Sequence, residues 1–156
     1  MYPYFNYYIS IWGNSPKYQL SLLKRCQNSF LRILYNIKNY DHIIEYCKIS
    51  NLLTINQIFS YNISVLTYKL WILKINSHFF IYFNKHINRQ FSNLRNPVVF
   101  KIPKFRTKFL SSSTLSMSLK FWNKLSNSLR NINSLYIFKR QLKSLVLANY
   151  FACLCS

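Results

Sequence analysis

The chain has 156 residues, 51% of them hydrophobic, and sets 21 Lys and Arg against 2 Asp and Glu for a formal net charge of +19. That length suits one domain with a buried core, and that apolar content excludes a disordered chain. Both acids, Asp41 and Glu45, fall in one short stretch, so the clustered carboxylates that metal-assisted phosphoryl or nucleotidyl transfer needs are missing.

A field of this sign attracts polyanions, whether RNA, DNA or acidic lipid. Two accounts give the same charge. One is selection for polyanion binding. The other is drift of the coding sequence toward A and T, which turns Asp into Asn and Glu into Lys and leaves a chain rich in Asn, Ile, Tyr, Phe, Lys and Ser with a single Gly. By the second account the product is that of a pseudogene without a cellular role.

The N-terminal stretch MYPYFNYYISIWGNS has no basic n-region, and Asn6, Ser10 and Asn14 interrupt its apolar part, so no signal peptide is expected. Ser15-Pro16 predicts a helix start, a capping hydroxyl followed by proline at the first helical position. Leu20, Leu23, Cys26, Phe30, Ile33, Leu34 and Ile37 then recur at helical spacing and predict the buried face, with Lys24, Arg25 and Arg32 mostly off it. A short helix is expected from Asn39 or Asp41, with both acids in its first turn, where the helix dipole favours them.

Thr54-Ile55-Asn56-Gln57 reads as a capping box. It opens a longer helix with Ile55, Ile58, Phe59, Leu66, Leu70 and Leu73 on one side. The longest uncharged run, residues 49–68, carries Asn51, Asn56, Gln57 and Asn62, a poor fit to hydrocarbon, so no transmembrane helix is expected. Residues 77–91 read as another helix. The stretch NPVVFKIPKFRTKF, residues 96–109, contains Pro97 and Pro103, alternates, and predicts an extended connector. Ser111-Ser112-Ser113 leads into a helix through Leu115, Leu119, Trp122 and Leu125, and Ser134 caps a last one with Leu135, Phe138, Leu142 and Leu145. The expected fold is mostly α: a single helical region over residues 1–156, with about five or six helices and one extended proline-containing connector.

Site chemistry points to binding rather than catalysis. Asp41 and Glu45 read as helix-dipole partners, Glu45 also lying near Lys48. His42, His78 and His86 are scattered. Cys26, Cys47, Cys153 and Cys155 show no C-x2-C spacing, so a reduced, intracellular chain with free thiols and no zinc site is expected. The only glycine is Gly13, which leaves neither a nucleophile elbow nor a phosphate-cradling loop. No catalytic residue, metal, cofactor or small-molecule substrate is expected, and a monomer is the default. The binding candidates are Lys101, Lys104, Arg106 and Lys108, interleaved with Phe100, Phe105 and Phe109. In an extended chain Lys104, Arg106 and Lys108 share one face, opposite Phe105 and Phe109. The aromatics would dock on the core while the cations meet a phosphate backbone; the alternative is aromatics stacked on unpaired bases. Lys120, Lys124, Arg130, Lys139 and Lys143 complete the candidate set, although the plainer reading of the last three is a solvated helix face. The expected partner is RNA or single-stranded DNA, bound with little sequence preference. A basic amphipathic module for acidic membrane surfaces or partner helices is the alternative.

Phe121-Trp122-Asn123-Lys124-Leu125, then Leu129-Arg130, Ser134, Phe138-Lys139 and Leu142-Lys143, resembles the extreme C-terminal region of reverse transcriptases of non-LTR (LINE-class) retrotransposons. That family shows a Trp-Asn-x-Leu-Pro segment, then Ile-Arg, then a Ser before Phe-Lys-x-x-Leu. Upstream, Ile11-Trp12-Gly13-Asn14 precedes a Leu-rich helix containing Gln27 and Leu31-Arg32-Ile33, Tyr68-Lys69 closes a later helix, and Ile102-Pro103 with Arg106-Thr107 fits the element before the Trp-Asn helix. Ser126 stands where the family usually has proline, which predicts a looser turn after Leu125. The resemblance implies that Trp12, Gly13, Asn14, Trp122, Asn123, Leu125, Phe138 and Leu142 mark the fold. It also implies that the polymerase palm with its paired aspartates would lie before Met1, so that this chain is a non-catalytic fragment of an RNA-directed DNA polymerase.

Overall fold

Capping and periodicity place helices along most of the chain, and the structure, a computed structural model, carries them. It describes residues 2–38, 43–75, 77–87 and 99–148, with the side chains of Tyr2, Pro3, Ile44, Lys48 and Ser77 left aside. In chain order its helices are α1 (Tyr2–Asn6), α2 (Ile9–Trp12), α3 (Lys17–Tyr35), α4 (Ile43–Ile49), α5 (Ile55–Trp71), α6 (Ser77–Lys85), α7 (Lys108–Ser111), α8 (Thr114–Lys124), α9 (Asn127–Arg130) and α10 (Leu135–Leu147). The fold is mostly α. Among the described residues the only strand-like pairing is one isolated antiparallel bridge, Ile87 to Phe100. The chain divides into two compact units, the described parts of Met1–Ser60 with Lys143–Ser156, and Tyr61–Leu142.

In the first unit α3 begins one residue later than expected, at Lys17, with Pro16 as its cap. The Ser15 hydroxyl instead donates to the Trp12 carbonyl at 2.5 Å, closing α2. Asn36 ends α3 in the left-handed region at φ 49, a conformation its short amide side chain tolerates.

The buried face of α3 differs from the expected one. Gln27 and Leu31 are its buried residues, whereas Ile33 is 82% exposed and Cys26 is exposed. The cause is polar. Gln27 Nε2 donates to the Leu53 carbonyl at 2.8 Å, and its Oε1 accepts from the Ile55 amide at 3.2 Å. The Ile55 amide is one of the free donors at the start of α5, and satisfying it inside the core turns α3 toward Gln27.

The capping box holds in its reciprocal half, for the Thr54 amide donates to Gln57 Oε1 at 2.9 Å. Gln57 Nε2 continues to the Val146 carbonyl at 2.9 Å, tying α5 to the end of α10. In α4 Glu45 occupies the first turn; Asp41, expected beside it, lies outside the described residues, as does His42.

In the second unit an aromatic core joins the helices. Trp71 lies 5.5 Å from Phe80 and 5.1 Å from Phe100, ring to ring, and Phe83 lies 5.4 Å from Phe100. Tyr68 stacks on Phe138 at 4.4 Å, with Trp122 on the same Phe138 at 6.2 Å. The Tyr68 hydroxyl donates to the Ile132 carbonyl at 2.7 Å, so a fully buried tyrosine keeps its hydrogen bond. Burial raises that phenol's pKa above its ordinary value. Of the expected apolar row of α5, Ile55, Ile58 and Phe59 are buried in the first unit and Leu70 in the second, Leu66 is half-buried, and Leu73 lies beyond the helix and is 43% exposed. Ser60, the last residue of the first unit's stretch of α5, and Thr67 in the second are buried and turn their hydroxyls back to the carbonyls of Gln57 and Ile63, which is how a hydroxyl is tolerated in a helix interior. The helix expected over residues 77–91 is α6, ending at Lys85; residues 88–98, with Pro97, lie outside the described residues.

Gly13 explains itself by space rather than by backbone angle. Its φ is −63, which any residue adopts, but a β-carbon there would sit 2.4 Å from the Phe59 ring and 2.5 Å from the Ile9 carbonyl. Gly13→Ala is therefore expected to destabilise by about 1–3 kcal/mol through overpacking, read as a fall in the chemical-denaturation midpoint. An unchanged midpoint would mean that Phe59 can move aside.

Candidate nucleic-acid interface

Helix α8 carries the segment that holds the candidate cations. At one end, the Phe100 amide donates to Asn123 Oδ1 at 2.9 Å and Asn123 Nδ2 donates to the Phe100 carbonyl at 2.7 Å. A side-chain amide thus pairs with a peptide on both its edges, the pattern of a strand neighbour supplied by a helix. The Lys101 amide adds a bond to the His86 carbonyl at 2.7 Å. At the other end, the Ser111 carbonyl accepts from the Ser116 hydroxyl at 2.9 Å and from Lys120 Nζ at 2.8 Å.

These two posts decide the shape between them. Ser116 and Asn123 are about two helical turns apart, on the order of 10 Å along the axis. A fully extended chain from Phe100 to Ser111 would reach on the order of 40 Å. The segment must fold back, and it does so by a bend at Arg106 and Thr107 followed by the one turn of α7. Thr107 caps that turn, its hydroxyl accepting from the Leu110 amide at 3.4 Å.

The extended reading therefore fails at its C-terminal end. Lys108 and Phe109 are helical, so the strict alternation of faces stops before them. Phe109, expected to dock on the core, is 82% exposed, while Phe105 is half-buried. Lys101, Lys104, Arg106 and Lys108 are all exposed, as is Lys124. The segment thus presents four cations and one bare aromatic ring on a chain tied down at both ends.

Two other candidates are occupied within the fold. Arg130 is buried, and its guanidinium donates to the Trp122 carbonyl at 3.1 Å, the Asn123 carbonyl at 2.5 Å and Asn127 Oδ1 at 3.1 Å. Those carbonyls are among the last of α8, the Trp122 carbonyl also accepting from the Leu125 amide at 3.1 Å, and a cation there meets the negative end of the dipole. Burial lowers the guanidinium's pKa from its ordinary value. Arg130 is a clasp, not a phosphate contact. Lys120 is half-buried on the Ser111 carbonyl and is likewise removed from the binding set. Lys139 is half-buried and Lys143 exposed, the latter in the other unit.

The residues singled out by the family resemblance are mainly structural. Trp122, Leu125, Phe138 and Leu142 are buried, Asn123 is the clamp on Phe100, and Trp12 donates its indole N–H to the Tyr7 carbonyl at 2.6 Å. Asn14 is half-buried. Ser126 has φ −66 and ψ 152, Leu125 before it has φ −69 and ψ 144, and the Ser126 amide donates to nothing among the described residues. That turn has the geometry a proline would take. Composition and periodicity could not show the Asn123–Phe100 pairing, which needs the fold to bring together two segments distant in sequence. The Thr107 cap had a signal, a hydroxyl residue just before a helical turn, masked by the alternating pattern around it. Among the described residues no group of His, Cys, Asp and Glu is placed to hold a metal ion.

Comparison of the chain with protein-family models, with curated proteins and with solved structures finds no match.

Two substitutions separate core from turn. Trp122→Ala is expected to cost about 3–5 kcal/mol, the loss of a fully buried aromatic. Ser126→Pro is expected to stabilise by about 0.4–1 kcal/mol, because proline narrows the unfolded chain at a position already in its geometry. Both are read by denaturant titration, and a destabilised proline variant would contradict the turn described above.

Proposed function

We propose that the chain is a non-catalytic nucleic-acid-holding piece of a retrotransposon reverse transcriptase, one that grips RNA or single-stranded DNA along residues 101–109. The observation that carries this reading is the exposed set Lys101, Lys104, Arg106 and Lys108 beside Phe109, which is 82% exposed. Cations that track a backbone and a ring that stacks on a base are the two parts of a sequence-tolerant single-strand site. An unpaired base can reach an exposed ring; a base inside a duplex cannot. No acid follows Glu45 in the sequence, so the unit that carries this segment has no carboxylate side chain. The resemblance supports the parentage, and the proline-ready geometry at Ser126 is what the family's motif would require there. In that family this region follows the polymerase core, so the part assigned to it is holding template or target rather than bond chemistry.

The two halves of the site can be read apart. Replacing Lys104, Arg106 and Lys108 together by Gln should lower the magnitude of the log-log salt slope for single-stranded RNA by about 2, at roughly 0.7 per phosphate contact. Phe109→Ala should weaken binding by about 1–3 kcal/mol for each base lost from the ring, while leaving that slope unchanged. Neither change should move the melting temperature, since all four side chains are exposed. A full salt slope in the Gln variant together with full affinity in Phe109→Ala would mean that the charge is diffuse and the reading wrong.

A further inference from the structure

Helix α3 buries one face and leaves a second apolar row uncovered among the described residues. Tyr18, Leu22, Cys26, Phe30 and Ile33 follow one another at three- and four-residue steps, which puts them on one stripe of a helix. All are exposed, Tyr18 at 66%, Leu22 at 53%, Phe30 at 39% and Ile33 at 82%. At about 100° per residue Arg25 borders this stripe, whereas Lys17 and Lys24 lie on the far side of the helix, about 160–180° from the stripe's centre. All three cations are exposed, and the sequence of α3 contains no acid.

We infer that this face of α3 seats on an anionic bilayer surface, its apolar row entering the headgroup boundary with Arg25 at its edge, while the chain's net charge of +19 draws it to acidic lipid. Three possible occupants differ in chemistry. A nucleic acid offers phosphates but no apolar cover for Leu22 and Ile33. A second copy of the chain offers apolar cover, but it brings another net charge of +19 against the same cations. An acidic bilayer offers apolar cover and attraction for a chain of this charge, and a flat-lying amphipathic helix is the form that uses both. Ring chemistry agrees. Tyr18 lies on the stripe, and Tyr4, Tyr7 and Tyr8 of the same unit are 81%, 71% and 59% exposed; tyrosine favours the membrane–water boundary, with its ring in the apolar zone and its hydroxyl in water. No helix among the described residues is long and apolar enough to cross a membrane, so the contact is with the surface.

This inference uses residues outside the nucleic-acid segment and stands apart from it. The test is co-sedimentation of the full chain with vesicles of phosphatidylcholine alone or mixed with phosphatidylserine, at physiological salt, for the native chain and for the double variant Leu22→Gln with Ile33→Gln. The native chain should sediment with the mixed vesicles and far less with the neutral ones. The double variant should lose at least about tenfold in partitioning to the mixed vesicles, since each lost side chain removes buried apolar area. Its circular dichroism and its RNA affinity should be unchanged. Equal partitioning of both proteins to the mixed vesicles would show attraction by diffuse charge alone and overturn the inference. So would a native chain that does not discriminate between the two vesicles, or one that forms a dimer which the double variant abolishes.

Discussion

The shortage of carboxylates governs this structure. With 2 acids for 21 basic residues, ion pairing cannot satisfy the cations that folding draws inward, and backbone carbonyls take that part. Arg130 closes on the last carbonyls of α8, Lys120 on the Ser111 carbonyl at the end of α7, and Arg32 on the Lys38 carbonyl beyond α3. Each acceptor lies at or just past a helix C-terminus, where the intrahelical ladder runs out and the dipole is negative. A buried guanidinium is costly unless its donors are used, and here each binding cation also completes a helix end.

Amides and hydroxyls supply the remaining long-range polar contacts. Gln27 joins α3 to the start of α5, Gln57 joins α5 to the Val146 carbonyl, and Asn123 pairs with Phe100. No buried side-chain nitrogen or oxygen among the described residues is left without a partner. These contacts carry no net charge and are insensitive to the surrounding positive field. The cations therefore divide into those bound to backbone carbonyls, Arg130, Lys120 and Arg32, and exposed ones, of which Lys101, Lys104, Arg106 and Lys108 lie closest together along the sequence. The exposed group is the one open to a polyanion.

The long helices were legible because their apolar spacing and caps agree: Thr54 and Ser113 precede α5 and α8, as their hydroxyl chemistry suggests. What stayed hidden depends on partners far apart in sequence. Hydrophobic periodicity put Cys26 and Ile33 inside and missed Gln27, since nothing local marks a glutamine that will cap a different helix. Arg130 reads as a surface cation until the fold brings it to the end of α8. Phe109 reads as core by its size, yet the closeness of the two posts on α8 forces a turn that carries it outward. In each case a backbone hydrogen bond, not an apolar preference, decided the outcome.

The division of the cations can be measured directly by acylating the lysines of the folded chain with an amine-reactive ester, with and without single-stranded RNA, and reading each site by mass spectrometry. Lys101, Lys104 and Lys108 should react readily in the free protein and be protected by RNA, whereas Lys120, held on a carbonyl, should react slowly in both. Lys120 reacting as fast as Lys104, or RNA protecting every lysine equally, would contradict the account.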